Sequence, residues 1–290
     1  TMQEAVRWSL LWFSLAFVFV GLLWWYLDTH QGREVANTVS MQFITGYLVE
    51  KSLSVDNIFV FLVLFNYFAI PQQYQKRALI IGIIGAIVLR TALILVGAWL
   101  LATFHWRLYV FGAFLVFTGV KMWFAASQES DIASNPVLGF LRRHMNITDQ
   151  FDGEKLSTMI NGVKHYTPLF VVLVLIGTTD IIFAVDSIPA IFAITSDPFI
   201  VLTANIFAIL GLRALYFLLA DLANRFHLLA YGLALVLVFI GSKMLLIDVY
   251  KIPIGYALLV TAVLIAGSII LSLRTTSGAA RSSQQAPTER

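Results

Sequence analysis

Eight apolar segments of this chain are each long enough to cross a membrane as a helix. A hydrocarbon core of about 30 Å requires roughly 20 helical residues. Hydrophobic residues make up 59% of the sequence and charged residues only 12%, whereas about 25% of the residues of a soluble domain are charged. The sequence therefore predicts an all-α polytopic membrane protein. The apolar segments lie near residues 8–27, 41–68, 78–102, 108–125, 166–195, 199–220, 228–247 and 252–273.

The connections divide the chain into two transmembrane halves. Residues 126–165 form a hydrophilic stretch of mixed charge that is too long for a turn, and we interpret it as a cytoplasmic linker. The other predicted parts are an N-terminal peripheral helix and loop (1–40), transmembrane repeat 1 (41–125), transmembrane repeat 2 (166–247), a C-terminal helix (248–273) and a disordered tail (274–290).

Lys and Arg residues are concentrated on one side of the predicted membrane. With eight spans, the N-terminus, the 69–77 joint, the linker, the 221–227 joint and the tail share a side, and this side carries most of the positive charge. The positive-inside rule makes it the cytoplasmic side, so we expect both ends of this chain in the cytoplasm. The sequence has no cluster of basic residues interleaved with aromatic residues, which is the pattern that would indicate a nucleic-acid partner.

Two similar motifs place carboxylates inside apolar segments. The first runs from Glu50 to Asp56 and the second from Asp180 to Asp186. A carboxylate near the middle of a bilayer costs about 2.5–3.5 kcal/mol on insertion scales, or roughly 10 kcal/mol for four. That cost makes these four residues the default functional site.

The duplication extends beyond the acidic motifs. Residues 109–122 align without gaps to residues 231–244, with matching Tyr, Val, Phe, Gly, Lys and Met residues. Each half thus holds three spans, and because three is odd the second repeat must be inverted relative to the first. Inverted repeats are typical of secondary transporters, whose substrate site lies near the membrane midplane.

The side chains around the motifs suit a hard divalent cation such as Mn²⁺, Ca²⁺ or Mg²⁺. The chain has no Cys, which excludes thiolate ligands. In an intact helix Glu50 and Asp56 would lie roughly 120° apart, so we expect broken helices, with Pro189 marking the break in the second motif. The predicted metal ligands are Asp56, Asp186, Glu50, Asp180, Asn57 and Ser187.

Each half also carries one arginine inside an apolar segment, Arg90 or Arg213. We expect both to act as counter-ions that stabilise the empty site. Two structural readings stay open at this point. The motif aspartates could form purely structural ion pairs with these arginines, and Glu50 could pair with Lys51 or reach the interface.

Four motifs in this chain resemble the TerC family of integral membrane proteins, in particular its Alx-like branch. They are Glu-Lys-Ser-Leu-Ser-Val-Asp-Asn at 50–57, Phe-Ala-Val-Asp-Ser-Ile-Pro-Ala-Ile at 183–191, Ser-Asp-Pro-Phe at 196–199 and Gly-Leu-Arg-Ala at 211–214. The resemblance extends from about Met2 to Arg274. It implies a manganese exporter of the bacterial inner membrane, with the four motif carboxylates on the ion pathway.

The resemblance is imperfect at two places. Gly177 stands where relatives often carry a Glu, which puts the affinity for the metal or the coupling to protons in doubt. Relatives also tend to have one further N-terminal span.

The resulting hypothesis is export of manganese by alternating access, driven by proton entry, without a permanently bound cofactor and without enzymatic activity. Asp56 and Asp186 would be the principal ligands, and Glu50 and Asp180 flanking ligands or proton acceptors. Loss of the metal would favour protonation, because a medium of low dielectric disfavours the charged form of a carboxylate.

Two other functions use the same residues. A membrane scaffold could deliver metal to secreted or membrane enzymes, with the secretion machinery as its partner. An intramembrane aspartyl protease would also need two aspartates, but its Gly-x-Gly-Asp signature is absent, since Phe183, Ala184 and Val185 precede Asp186.

Overall fold

The computed structural model of the protein describes residues 2–103, 106–125, 134–220, 227–246, 248–250 and 252–284. Within these elements, side chains are not described at 2, 55–57, 59–60, 63, 101, 107–108, 111, 186, 219–220, 254 and 279–284. The fold is that of an all-α polytopic membrane protein, with one small hairpin. The elements are α1 (Met2–His30), α2 (Arg33–Tyr67), α3 (Gln72–Thr103), α4 (Arg107–Ala125), α5 (Pro136–His144), β1 (Ser157–Ile160), β2 (Val163–Tyr166), α6 (Pro168–Ile194), α7 (Pro198–Ile209), α8 (Leu212–Ala220), α9 (Leu229–Leu245) and α10 (Ile254–Gln284).

All eight predicted apolar segments fall on helices. Among the described residues, five helical stretches are long and apolar enough to cross a membrane, and two shorter apolar helices accompany them. The five are Gln3–His30, Gln72–Leu100, Pro168–Ile194, Pro198–Leu218 and Gly255–Gly278, and the shorter two are Gly112–Ala125 and Leu229–Leu245.

The structure has a helix interruption in a different span from the one in which the sequence predicted it. Pro189 lies inside α6, which is helical from Pro168 to Ile194, so the prediction of an unwound segment there is wrong. The interruption separates α7 from α8, where Gly211 has a φ of +83°. Proline removes only its own amide from the hydrogen-bond ladder, whereas a residue at positive φ cannot continue a right-handed helix.

Both ends of the chain are more helical than predicted. The expected loop before residue 41 is reduced to Gln31 and Gly32, whose φ of +96° turns the chain from α1 into α2. At the other end α10 continues to Gln284, so its helix extends into the predicted tail over residues 274–284. The Ser272 hydroxyl accepts a 2.7 Å hydrogen bond from the Leu228 amide and ties this helix to the start of α9. Residues 285–290 of the predicted tail lie outside the described part.

The described portion of the linker, residues 134–165, is folded against the transmembrane helices. It contains α5 and the first strand of the β1–β2 hairpin, whose strands pair antiparallel with Ser157 opposite Tyr166. Leu138 of α5 is buried in the main hydrophobic cluster. Arg77 at the start of α3 contacts Glu154 at 3.0 Å. Residues 126–133 of the predicted linker lie outside the description.

The closest helix pair is formed by α4 and α9, the two segments that align in sequence. A Cβ atom built on Gly119 would lie 2.7 Å from Cγ2 of Val238 and 2.8 Å from the carbonyl oxygen of Ala234. A Cβ atom built on Gly241 would lie 2.9 Å from Cγ2 of Val116 and 2.7 Å from the carbonyl oxygen of Gly112. In the alignment of 109–122 with 231–244, Gly119 corresponds to Gly241, Val116 to Val238 and Gly112 to Ala234. Each helix therefore makes the same contacts to its partner as the partner makes to it.

Buried apolar residues form two clusters that both include parts of α2 and α6, the helices that carry the acidic motifs. One cluster joins α2, α3, α5 and α6 to the α7–α8 region, and includes Ile58 and Ile176. The other joins α2, α4, α6, α9 and α10, and includes Val49 and Ala190. Asp180 lies on α6 between the part that packs in the first cluster and the part that packs in the second, whereas Glu50 lies on α2 beside Val49 of the second cluster.

Candidate ion site

A buried triad of charged side chains joins the two acidic motifs. Nη1 of Arg90 donates to Oε2 of Glu50 at 2.8 Å, and Nη2 of the same guanidinium donates to Oδ1 of Asp180 at 3.2 Å. The exposed fraction of the side chains is 0% for Glu50, 3% for Arg90 and 8% for Asp180. The triad therefore brings α2, α3 and α6 together away from solvent.

Each member of the triad lies near the middle of its helix. Glu50 is residue 18 of the 35 in α2, counted from Arg33. Arg90 is residue 19 of the 32 in α3, counted from Gln72. Asp180 is residue 13 of the 27 in α6, counted from Pro168. Charged groups at this depth face the interior of a helical bundle and mark ion or substrate pathways.

The triad retains unused hydrogen-bonding capacity. Four buried polar atoms at this place have no hydrogen-bond partner among the described residues: Oε1 of Glu50, Nε of Arg90, Oδ2 of Asp180 and Oγ of Ser187. The Ser187 hydroxyl lies beside the Glu50 carboxyl group, without a hydrogen bond of good geometry to it. An unpaired buried polar group costs about 1–3 kcal/mol, so these four atoms are candidates for contact with a polar ligand.

The other predicted site residues are placed less fully. The side chains of Asp56, Asn57 and Asp186 lie outside the described part of the chain. Arg213 is exposed on α8 and pairs with no carboxylate among the described residues. Gly177 is exposed on α6, and a Cβ built there would meet nothing within 4 Å. Within the part described, no three His, Asp or Glu side chains form a ready-made metal site.

Two features near the triad were not predicted from the sequence. Lys51 points away from Glu50 and toward the interruption between α7 and α8, where Nζ contacts the carbonyl oxygens of Ala208 and Leu210 at 3.4 and 3.3 Å. The signal that could have located the interruption is Gly211, the one glycine in the sixth apolar segment.

A cavity of about 580 Å³ lies apart from the triad. It opens between the end of α2, the linker and the start of α6, and Tyr67, Arg142, Asp149 and Pro168 are among its lining residues. It contains neither acidic motif. The charged triad with its unpaired atoms, and not this cavity, is therefore the candidate functional site.

Comparison with known proteins places the chain in a family. A model described as "Integral membrane protein TerC family" matches residues 35–284, which is more than half of the chain. The chain belongs to the TerC family. No solved structure matches it.

Bacterial relatives support this placement in the TerC family. The chain is 56% identical over 258 residues to a protein of Escherichia coli (strain K12) named "Putative membrane-bound redox modulator Alx", a match that covers 89% of this chain and 80% of that protein. The protein of the same name from Shigella flexneri is also 56% identical, with 81% of its length covered. A Myxococcus xanthus protein, "Uncharacterized membrane protein STKORF319", is 48% identical over 98% of this chain and 87% of its own length.

Proposed function

We propose that this TerC-family protein is a secondary transporter that exports a divalent metal ion, with manganese as the principal cargo, across the bacterial inner membrane. The observation that carries the proposal is the buried triad. Two carboxylates, one from each acidic motif, share a single guanidinium in the middle of their helices. A structural ion pair would need only one acid for one base.

The free oxygens of the triad match the chemistry of the cargo. Oε1 of Glu50, Oδ2 of Asp180 and Oγ of Ser187 are buried, unpaired and of the type that hard divalent cations prefer. In the proposed cycle Arg90 offsets part of the negative charge of the two carboxylates while the site is empty. The cation then displaces the guanidinium from them. Because α2 and α6 are continuous helices, Asp56 and Asp186 lie about 9 Å further along the helix axes than Glu50 and Asp180. We therefore propose them, with Asn57 as a further oxygen ligand, as the principal ligands at an adjacent position on the ion path, which Glu50 and Asp180 flank.

The proposal includes two inverted repeats of three spans each, α2–α4 and α6–α9, within eight spans; α7 and α8 together form one span. Their support is the reciprocal packing of α4 and α9, in which Gly119 meets Val238 and Ala234 while Gly241 meets the corresponding Val116 and Gly112. Such reciprocity is expected of an antiparallel pair related by a pseudo-two-fold axis. Alternating access then follows from rocking of one repeat against the other around the triad.

Proton entry would drive the export. When the cation leaves, two carboxylates remain for one guanidinium, and the unpaired negative charge in a medium of low dielectric favours uptake of a proton. Glu50 and Asp180 are the proposed proton acceptors. The positive-inside distribution of Lys and Arg supports an orientation in which both ends of this chain are cytoplasmic.

Transport by purified protein in vesicles tests the proposal. With an imposed pH gradient, the wild type should move Mn²⁺ in preference to Ca²⁺, Mg²⁺ and Zn²⁺, and its movement should collapse with the gradient. Each of Glu50→Gln, Asp56→Asn, Asp180→Asn and Asp186→Asn should reduce the rate at least tenfold. The matched control is Asp152→Asn in the linker, whose carboxylate is exposed and pairs with Lys155 at 3.7 Å. Full manganese transport by the Asp56 or Asp186 variants would refute the mechanism.

A metal-delivery scaffold is the second candidate. It would use the same ion site and would present a folded surface to secretion machinery or to the enzymes that receive metal. The packing of α5 against the transmembrane helices favours it, because this places a structured surface next to the end of α2 and the start of α6. Vesicles separate the two candidates, since a scaffold would bind manganese without moving it across the membrane.

A further inference from the structure

Lys51 binds the interrupted helix of the second half. Its Nζ lies 3.4 Å from the carbonyl oxygen of Ala208 and 3.3 Å from that of Leu210. Glu50 and Lys51 are consecutive in α2, yet the carboxylate contacts Arg90 in α3 while the ammonium contacts the α7–α8 region. A single turn of α2 therefore connects the acidic triad to the helix interruption.

The interruption makes these carbonyl groups available. The Leu210 amide donates to Ile206 and closes α7, and the Leu215 amide donates to Gly211 and opens α8. In an uninterrupted helix the carbonyls of Ala208 and Leu210 would accept from amides four residues further along. Here each accepts from the Lys51 ammonium.

This geometry is that of a cation site. The C-terminal end of a helix carries a partial negative charge, and carbonyls at interrupted helices bind monovalent cations in membrane transporters. The two distances exceed the usual 2.7–3.2 Å of an N–H to oxygen hydrogen bond, so the ammonium occupies the place as a charge more than as a directed donor. We propose that the α7–α8 interruption is a monovalent-cation site and that the Lys51 ammonium is its resident cation.

The inference goes beyond the proposed export and does not depend on it. A fixed ammonium would hold α2 against the interruption without Na⁺ or K⁺ from solution. The protein should therefore be insensitive to monovalent cations as long as Lys51 is present. Removal of the side chain should create a dependence on them.

Thermal unfolding of the purified protein, without divalent metal, tests the inference. Samples are compared in sodium, potassium and choline chloride at equal ionic strength. The wild type should melt at the same temperature in all three. Lys51→Ala leaves the carbonyls without a cation, so it should melt at least about 2 °C higher in sodium or potassium than in choline, a shift measurable for a protein of this size.

Matched variants distinguish the effect of the positive charge at position 51 from the effect of filling the space that the Lys51 side chain occupies. Lys51→Arg retains a positive charge and Lys51→Met fills the place with an apolar chain, so neither should gain a difference between salts. Lys121→Ala removes an exposed lysine at the end of α4 and should behave like the wild type.

Two results would overturn the inference. One is a folded Lys51→Ala protein that melts at the same temperature in all three salts, and the other is an equal gain by Lys51→Met. If the Lys51→Ala protein does not fold in choline chloride, then sodium or potassium chloride should restore the yield of folded protein. Failure of both Lys51→Ala and Lys51→Ser to fold in any of the salts also counts against the inference, because the ion should replace the ammonium.

Discussion

Nη1 of Arg90 lies 2.8 Å from Oε2 of Glu50, while the other terminal nitrogen of the same guanidinium reaches Asp180 at 3.2 Å. One cation thus faces two buried anions, and the triad carries a net charge of −1 when all three groups are ionised. A site with this imbalance attracts a further cation or a proton. The excess negative charge distinguishes it from a balanced ion pair that only joins two helices.

Removal of Arg90 should strongly destabilise the protein. In Arg90→Met two carboxylates remain buried without a counter-ion, and breaking a buried pair in this way costs about 3–5 kcal/mol. Unfolding in detergent, followed by circular dichroism, measures the loss. The control is Arg213→Met, which removes an exposed arginine without a described carboxylate partner and should change stability by no more than about 0.5 kcal/mol. Equal effects of the two variants would contradict the role assigned to the triad.

The Arg90→Met protein should also respond more strongly to manganese than the wild type. The guanidinium and the cation compete for the same two carboxylates in the proposed cycle. Without Arg90 the metal has no competitor, so added Mn²⁺ should raise the melting temperature of the variant by more than that of the wild type. A glutamine or asparagine at position 50 or 180, combined with Arg90→Met, should reduce this response. A response of the double variants as large as that of Arg90→Met would place the metal elsewhere.

The Ser187→Ala variant distinguishes a structural role of this side chain from a role in ion binding. Its hydroxyl is buried and has no hydrogen-bond partner among the described residues, so Ser187→Ala removes an unsatisfied group and should leave stability unchanged or raise it by about 1 kcal/mol. If the hydroxyl is a ligand of the cargo, the same variant should transport manganese more slowly at subsaturating concentrations. The control is Ser277→Ala, whose hydroxyl bonds to the Leu273 carbonyl on the exposed part of α10. Unchanged manganese transport by Ser187→Ala would remove this residue from the ligand set.

Gly211 should tolerate no side chain. Its φ of +83° is costly for any residue with a Cβ, and a Cβ there would lie 2.7 Å from Cγ of Trp12. We expect Gly211→Ala to destabilise the protein by roughly 1–3 kcal/mol. Gly85→Ala is the control, because Gly85 lies inside α3 with nothing within 4 Å of a built Cβ. That change should be neutral or gain up to about 1 kcal/mol from helix propensity. Similar melting temperatures for the two variants would contradict this account.

The sequence predicted the elements better than it predicted their interruptions. Apolar segments of about 20 residues locate helices reliably, because a helix satisfies its backbone hydrogen bonds within a single segment, which an isolated strand in a bilayer cannot do. Pro189 misled the prediction because a transmembrane helix can continue through a proline when neighbouring helices and local backbone adjustments satisfy the freed backbone groups. Gly211 was overlooked because a glycine in an apolar run is common, and the close approach of Trp12 to it is a tertiary contact that no local pattern encodes.

The sequence predicted which carboxylates belong to the charged site, but it did not predict which arginine pairs with them. The cost of burying carboxylates identified Glu50 and Asp180 from the sequence. That Arg90 bridges them, while Arg213 remains exposed, follows only from the packing of α3 against α6. An approximate sequence duplication therefore need not give two halves with the same charge arrangement. The two arginines occupy different environments although each stands alone in its span.

The α4–α9 contact provides a direct test of the inverted repeats. Gly119 and Gly241 correspond in the aligned segments, and built Cβ atoms lie 2.8 and 2.7 Å from a carbonyl oxygen of the facing helix. Gly119→Ala and Gly241→Ala should therefore destabilise the protein by similar amounts, about 1–3 kcal/mol each. Gly267→Ala in α10, with open space around a built Cβ, is the control and should be neutral. Because both changes widen the same interface, the double variant should cost less than the sum of the two. A large loss for one variant and none for the other would mean that the two helices do not share the contact equally, and the pseudo-two-fold relation would have to be abandoned.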